Sequence, residues 1–125
     1  MILIFGGAYQ GKLDFAKETF QVNDSDIFIC NEKDSLDLSK KVLCNMENFV
    51  LKCVREGVEA KEYLASAEDL LKEKIFIVND ISQGIVPMEP DLREWREMVG
   101  RTMVYLSREA EEVYRVFCGI GQRIK

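Results

Sequence analysis

Short apolar runs alternate with amphipathic stretches along this chain, and each run is punctuated by glycine, asparagine or aspartate. MILIF at the start is a continuous apolar run closed by glycines, as in a buried strand. Lys12 to Phe20 then places Leu13, Phe15, Ala16 and Phe20 on a helical face, and Asn23, Asp24 and Ser25 make a turn. Asp26 to Cys30 (DIFIC) reads as a second strand. Asn31 to Lys40 (NEKDSLDLSK) reads as a polar surface loop with room for a helical turn. Lys41 to Cys44 (KVLC) is a short third strand. Met46, Phe49, Val50, Cys53 and Val54 follow at helical spacing, and Gly57 stops that helix. Tyr63, Leu64, Ala67, Leu70 and Leu71 predict a further helix, and Lys74 to Val78 (KIFIV) a strand ending at Asn79 and Asp80. Pro90 and Asp91 open a long helix with an apolar stripe of Leu92, Trp95, Val99, Met103 and Leu106. Glu112 to Cys118 (EVYRVFC) is the last predicted strand, running into GIGQRIK.

Strands that are apolar throughout, separated by helices, predict an α/β fold in three layers: a mostly parallel sheet flanked by helices. No repeat, linker or low-complexity tract divides the 125 residues, so residues 1–125 are expected to form a single domain.

Charge and rare residues narrow the chemistry. The net charge of −5 argues against a non-specific nucleic-acid binder, which needs a basic face. An acidic total still permits a local anion site built from backbone N–H groups. Cys30, Cys44, Cys53 and Cys118 contain no C-x-x-C pair, so buried free thiols in a reducing compartment are expected, and no residue is assigned as a metal ligand. There is no histidine, which removes any Ser-His or Cys-His dyad and any phospho- or nucleotidyl-histidine intermediate. No apolar run reaches membrane-spanning length, and Met1 leads directly into a strand, so a cytoplasmic location without membrane contact is expected.

The strongest chemical signal is GGAYQGK, Gly6 to Lys12, which fits the phosphate-loop pattern G-x-x-x-x-G-K. Composition alone yields such a match in about one chain in twenty-five of this length. Here, however, it lies between a strand and a helix, where a phosphate loop belongs. Gly6, Gly7, Ala8, Tyr9, Gln10, Gly11, Lys12 and Leu13 are the candidate binding residues. Successive amides would wrap phosphate oxygens, glycines would permit close approach, and the helix would turn its positive end to the anion. Lys12 would place an ammonium on the outer phosphates, as the first candidate catalytic residue. The next position should carry the Ser or Thr hydroxyl that ligates Mg²⁺, and it is Leu13. Two readings follow: a phosphate site, or a glycine-rich turn kept for the fold after nucleotide affinity has weakened or gone.

The C-terminal half adds a family resemblance. VNDISQGIVP (Val78 to Pro87), REMVGR (Arg96 to Arg101) and EVYRVFCGIGQRIK, together with the opening ILIFGGAYQGK, resemble the adenosylcobinamide kinase/adenosylcobinamide-phosphate guanylyltransferase family of cobalamin biosynthesis. The likeness covers Met1 to Cys30 and Lys74 to Lys125 and is weak between. It implies a RecA-like P-loop fold, ATP or GTP as cofactor with Mg²⁺, a corrinoid alcohol as substrate, and a homo-oligomer. It puts Gly6, Gly7, Gly11 and Lys12 on the family's phosphate loop. Asn79, Asp80, Gly84, Ile85, Val86 and Pro87 fall on its GIVP loop, and Arg96, Gly100 and Arg101 on its long helix.

Several family features are absent. The guanylylated histidine should follow the second strand, where NEKDSLDLSK has none. An acidic residue should end the third strand, where Cys44 or Asn45 stands; Glu47, two or three residues on, is expected to turn to another face of the following helix. Met103 and Val104 replace the Asn-Gln that follows the Gly-Arg pair. Losing one electrostatic partner commonly costs about a hundredfold in rate. The expectation is therefore a cobinamide-kinase-like phosphate binder with kinase activity weak or lost and no histidine-dependent guanylyl transfer. The alternative is a binding, regulatory or scaffold relative that no longer takes nucleotide.

The remaining candidates have bland readings beside the functional ones. Asp80 is the second candidate catalytic residue, for metal or substrate positioning, or else a cap of the GIVP loop. Gly84 and Pro87 shape that loop. Arg96 and Arg101 reach phosphates or are solvated, with Glu97 four residues from both Arg93 and Arg101 as an ion-pair partner. Trp95 is packing, and Tyr9 either stacks on a base or faces solvent.

Overall fold

A computed structural model describes residues 1–81 and 89–125. Its elements run β1 (Ile2–Gly6), α1 (Lys12–Phe20), a 3₁₀ turn (Asp24–Asp26), β2 (Ile27–Ile29), β3 (Val42–Cys44), α2 (Met46–Glu56), α3 (Ala60–Ser66), α4 (Glu68–Leu71), β4 (Ile75–Asn79), α5 (Pro90–Glu109), β5 (Glu112–Phe117) and β6 (Ile120–Arg123). The strands form one sheet in the order β2-β3-β4-β1-β5-β6, parallel throughout except for the β5–β6 pair. The expected three-layer α/β architecture is thus present, and it matches a P-loop NTPase-like fold.

The apolar strand runs are explained by burial on both faces. Successive side chains of a strand point to opposite sides. Leu3, Leu43, Phe76, Val78 and Val113 accordingly enter a core with Met46, Phe49, Val50, Leu64, Val99 and Leu106 from α2, α3 and α5. Ile4, Val42, Ile75, Ile77 and Val116 enter the opposite core with Ala16 and Val22 around α1. β1 lies between β4 and β5, so the loop leaving its C-terminal end emerges over the middle of the sheet. In open α/β sheets the carboxyl ends of the strands are where ligands bind.

Several expected elements differ in detail. The helix expected through Tyr63 to Leu71 is two, broken at Ala67, where φ is −107° and ψ is 18°. Tyr63 and Leu70 on it are exposed rather than core. The loop 31–40 contains bends and a turn but no helix, and it buries Leu36. The buried face of α5 comprises Met98, Val99, Thr102 and Leu106, while Leu92, Trp95 and Met103 are only half-buried. The last predicted strand stops at Phe117. Cys118 and Gly119, at φ 51° and 77°, then turn the chain into β6, a strand that the apolar pattern does not predict. A two-residue loop with both φ values positive has the twist an antiparallel hairpin needs. Cys30, Cys44 and Cys53 are buried free thiols as expected, but Cys118 is exposed.

Candidate phosphate-binding site

Gly6 ends β1 where β5 comes closest. A Cβ built there would lie 2.4 Å from the Val116 carbonyl oxygen, so only glycine fits. The chain then loops through Gly7, Ala8 and Tyr9, all exposed, to Gly11. Gly11, with φ 85°, caps α1 in the left-handed conformation that costs glycine nothing. Lys12 is the first residue of α1 and is 6% exposed. Its Nζ donates to the Gly7 carbonyl at 2.5 Å. Burial pushes the Lys12 pKa down, and the nearby Glu47 and Cys44 oppose that shift.

The loop amides point to an anion site. Among the described residues, the amides from Gly7 to Lys12 make no hydrogen bond of normal geometry to a carbonyl or side chain. Ala8 to Lys12 border a cleft of about 380 Å³ walled by Ala8 to Asp14 of the loop and α1, Ile29 of β2, Cys44 at the end of β3 and Asn45 after it, and Ile77 and Asn79 of β4. The candidates Ala8, Tyr9, Gln10, Gly11, Lys12 and Leu13 are therefore brought together. Tyr9 stands fully in solvent, with φ 59°. Leu13 lines the cleft with a hydrocarbon.

Among the described residues, the two candidate catalytic residues border different pockets, Lys12 the cleft above. Asp80 lies past the end of β4, its amide donating to Gly6 O at 2.8 Å. It borders a separate pocket of about 150 Å³ with Gly6, Gly7, Gln10 and Arg115. Gly84, Ile85, Val86 and Pro87 lie outside the described residues. Arg96 and Arg101 line a third groove, between α3 and α5, with Lys61 and Gly100. Arg101 is held by Glu59 at 2.9 Å and Glu94 at 2.8 Å, not by Glu97 as helix spacing suggested.

Glu47 corrects the expectation that it would face away. It sits in the first turn of α2, 5% exposed, and both its oxygens are engaged by Asn79. Oε1 accepts the Asn79 backbone N–H at 3.0 Å and Oε2 accepts Nδ2 at 2.8 Å. The physical reason is Asn45. It takes the left-handed conformation (φ 58°, ψ 49°) between β3 and α2, which swings the first helical turn back over the strand ends. A simple count of residues past the strand could not find this. The signal available was the asparagine, which tolerates that conformation better than other side chains. Trp95 adds a tie from α5, donating Nε1–H to Glu47 O at 2.7 Å.

The family-model comparison matches residues 41–124, two-thirds of the chain, to "Cobinamide kinase / cobinamide phosphate guanyltransferase". The chain belongs to that family. The loop from Gly6 to Lys12 lies upstream of the matched span, so its candidacy as a phosphate loop rests on motif and geometry. Among curated relatives, the bifunctional adenosylcobalamin biosynthesis protein CobU of Escherichia coli K12 is 31% identical over 69 residues, covering 55% of this chain and 38% of that protein. CobU of Salmonella typhimurium LT2 is 31% identical over 67 residues, covering 54% of this chain and 37% of that protein. The matched part thus spans well under half the length of these relatives. Among the described residues no helix is long and apolar enough to cross a membrane, and no cluster of acidic and thiol groups could hold a metal ion.

Proposed function

We propose that the chain is a cobinamide-kinase-like protein that binds the phosphates of ATP or GTP at Gly6 to Lys12, with kinase activity weak or lost and no histidine-dependent guanylyl transfer. The observation that carries this reading is the row of uncommitted amides beside a buried ammonium on a family fold. In this reading the loop amides and the α1 N-terminus receive phosphate oxygens, and Lys12 exchanges its bond to Gly7 O for one to an outer phosphate. The exposed Tyr9 and Ile29 flank the mouth of the cleft, where a base or an apolar acceptor would lie. Corrinoid alcohols are the acceptor class that family membership suggests, and a homo-oligomer in the cytoplasm the setting.

Mg²⁺ would bridge phosphates and absorb charge in phosphoryl transfer. The described residues do not fit it in the usual way. Leu13 has no oxygen where the metal-binding hydroxyl belongs, and Glu47 has both oxygens on Asn79. Asp80 borders the other pocket. What remains to the chain is binding and orientation, which is why slow or absent chemistry is proposed.

The rival reading, a regulatory or scaffold relative without nucleotide, draws on the short Lys12 bond to Gly7 O, which already occupies one of the three ammonium donors within the loop itself. Calorimetry with GTP and ATP, with and without Mg²⁺, separates the two. Binding that Lys12→Ala weakens at least about tenfold supports the nucleotide reading; no heat at millimolar nucleotide overturns it.

A further inference from the structure

We propose that Gln10 is a positioning residue that hangs the phosphate loop on the β5–β6 turn and thereby aims the Gly11 amide into the cleft. The proposal rests on the phosphate-binding reading of the loop and adds to it a support outside the loop itself.

Both consecutive amides of the turn are given to this one residue. Gly119 N donates to Gln10 O at 2.8 Å. Cys118 N donates to Gln10 Oε1 at 2.7 Å. Cys118 and Gly119 are the central residues of the hairpin turn, whose outward amides would otherwise meet water. The backbones are in close contact here as well, since a Cβ on Gly11 would lie 3.2 Å from Gly119 Cα. One strand further, Gly121 of β6 receives the Phe15 ring of α1, with ring atoms 2.0 to 2.7 Å from where a Cβ would stand. The hairpin therefore braces the loop and the helix that follows it at successive points.

The consequence for the site comes from peptide geometry. A trans peptide is planar, and its C=O and N–H point in opposite directions. With the Gln10 side chain fixed on Cys118 N, its carbonyl is held outward on Gly119 N, which turns the N–H of the same peptide, that of Gly11, away from the hairpin. Gly11 also lines the cleft of the candidate site. The rest of the loop has little else to hold it. Gly7, Ala8 and Tyr9 are exposed, and the loop closes on itself through the turn at Ala8 and Tyr9 and the Lys12 bond to Gly7 O. Glycine-rich backbone held so loosely would sample many conformations, and only some present converging amides. The hairpin removes that freedom before any ligand arrives. The terminal C-G-I-G stretch thereby acquires a role in the site. Cys118 and Gly119 supply the donors and the turn, and Gly121 supplies the space for Phe15.

The test uses Gln10→Met, which keeps length and bulk and removes the side-chain acceptor, and Gln10→Glu, which keeps an acceptor. Amide hydrogen exchange on the ligand-free proteins is read at Cys118, Gly119 and Gly11, with thermal unfolding as the check on folding. The expected result is faster Cys118 exchange in Gln10→Met, by about fivefold or more, and wild-type-like protection in Gln10→Glu. Titration with pyrophosphate and with GTP is then expected to show binding weakened about fivefold in Gln10→Met, at unchanged melting temperature. Unchanged Cys118 exchange in Gln10→Met overturns the clamp. Faster exchange with pyrophosphate affinity within twofold of wild type overturns its positioning role. If wild type takes neither ligand, the phosphate reading fails and the role in the site fails with it; the exchange data still decide whether the clamp exists.

Discussion

Replacing Glu47 by glutamine removes one charge and exchanges one acceptor for a donor at a position 5% exposed to solvent. In the native arrangement Oε1 and Oε2 receive the Asn79 backbone N–H at 3.0 Å and Nδ2 at 2.8 Å. A glutamine oxygen can keep one of these bonds. Its NH₂ group then confronts Asn79 Nδ2, a clash of donors that stands unless the Asn79 amide turns over to present Oδ1. Hydrogen bonds to charged groups contribute about 1.5–3 kcal/mol, and a stranded buried donor costs about 1–3 kcal/mol. The combined loss should be about 3 kcal/mol, a large part of the roughly 5–15 kcal/mol typical of a small domain. For a chain of this length that corresponds to a melting temperature lower by about 10 °C. The assay is urea unfolding followed by the single tryptophan, Trp95, whose indole N–H donates to the Glu47 carbonyl and so reports on the same junction. A double-mutant cycle with Asn79→Ala should give a coupling of about 1–2 kcal/mol. A loss below about 1 kcal/mol for Glu47→Gln, with no coupling to Asn79, would refute the placement of Glu47 at the strand ends.

Other outcomes follow from the same geometry. Burial pushes the thiol of Cys30 up to about 12 and those of Cys44 and Cys53 up to about 11, from an ordinary 9.0. The folded state therefore holds thiol protons that the unfolded state has released, so these groups lower stability as pH rises above about 9, measurable as a falling urea midpoint; a midpoint that climbs through about pH 9–11 contradicts their burial. Cys118 should react with a thiol reagent in the native protein while the other three wait for unfolding, and four fast thiols would contradict the fold. Gly6→Ala forces a Cβ against the Val116 carbonyl and should destabilise by about 3 kcal/mol, whereas Gly100→Ala meets nothing within 4 Å on an exposed face of α5 and should stabilise by about 0.5–1 kcal/mol in the same denaturation assay. Nucleotide affinity should respond little to Mg²⁺ in the wild type; a tenfold gain with Mg²⁺ would show that a group other than residue 13 holds the metal.

How much of this can be read from sequence depends on how local each feature is. β1, β4, α1 and α2 announce themselves because an apolar run or a helical stripe bounded by glycine, Gly11 before α1 and Gly57 after α2, needs no distant partner to be recognised. Even the left-handed cap at Gly11 is implicit in the loop motif. β6 escapes such reading because I-G-Q-R has one apolar side chain and becomes a strand only by pairing with β5. The break at Ala67 escapes it because alanine, glutamate and leucine favour helix on both sides. Arg101 pairs with Glu59 and Glu94 rather than the helical neighbour Glu97 because α3 packs close enough to present Glu59. In the site, the loop is legible and its supports are not. Glu47 reaches Asn79 across 32 positions and Gln10 reaches Cys118 across 108, separations that no local pattern encodes.

The central claim is that the amides from Gly7 to Lys12 stand ready for phosphate oxygens. Nuclear magnetic resonance of the ¹⁵N-labelled chain during a GTP titration tests it residue by residue. Saturable downfield movement of the Gly7–Lys12 amide protons, absent in Lys12→Ala, is the predicted result. Loop amides that stay still at millimolar GTP, or movement confined to other surfaces, would contradict it.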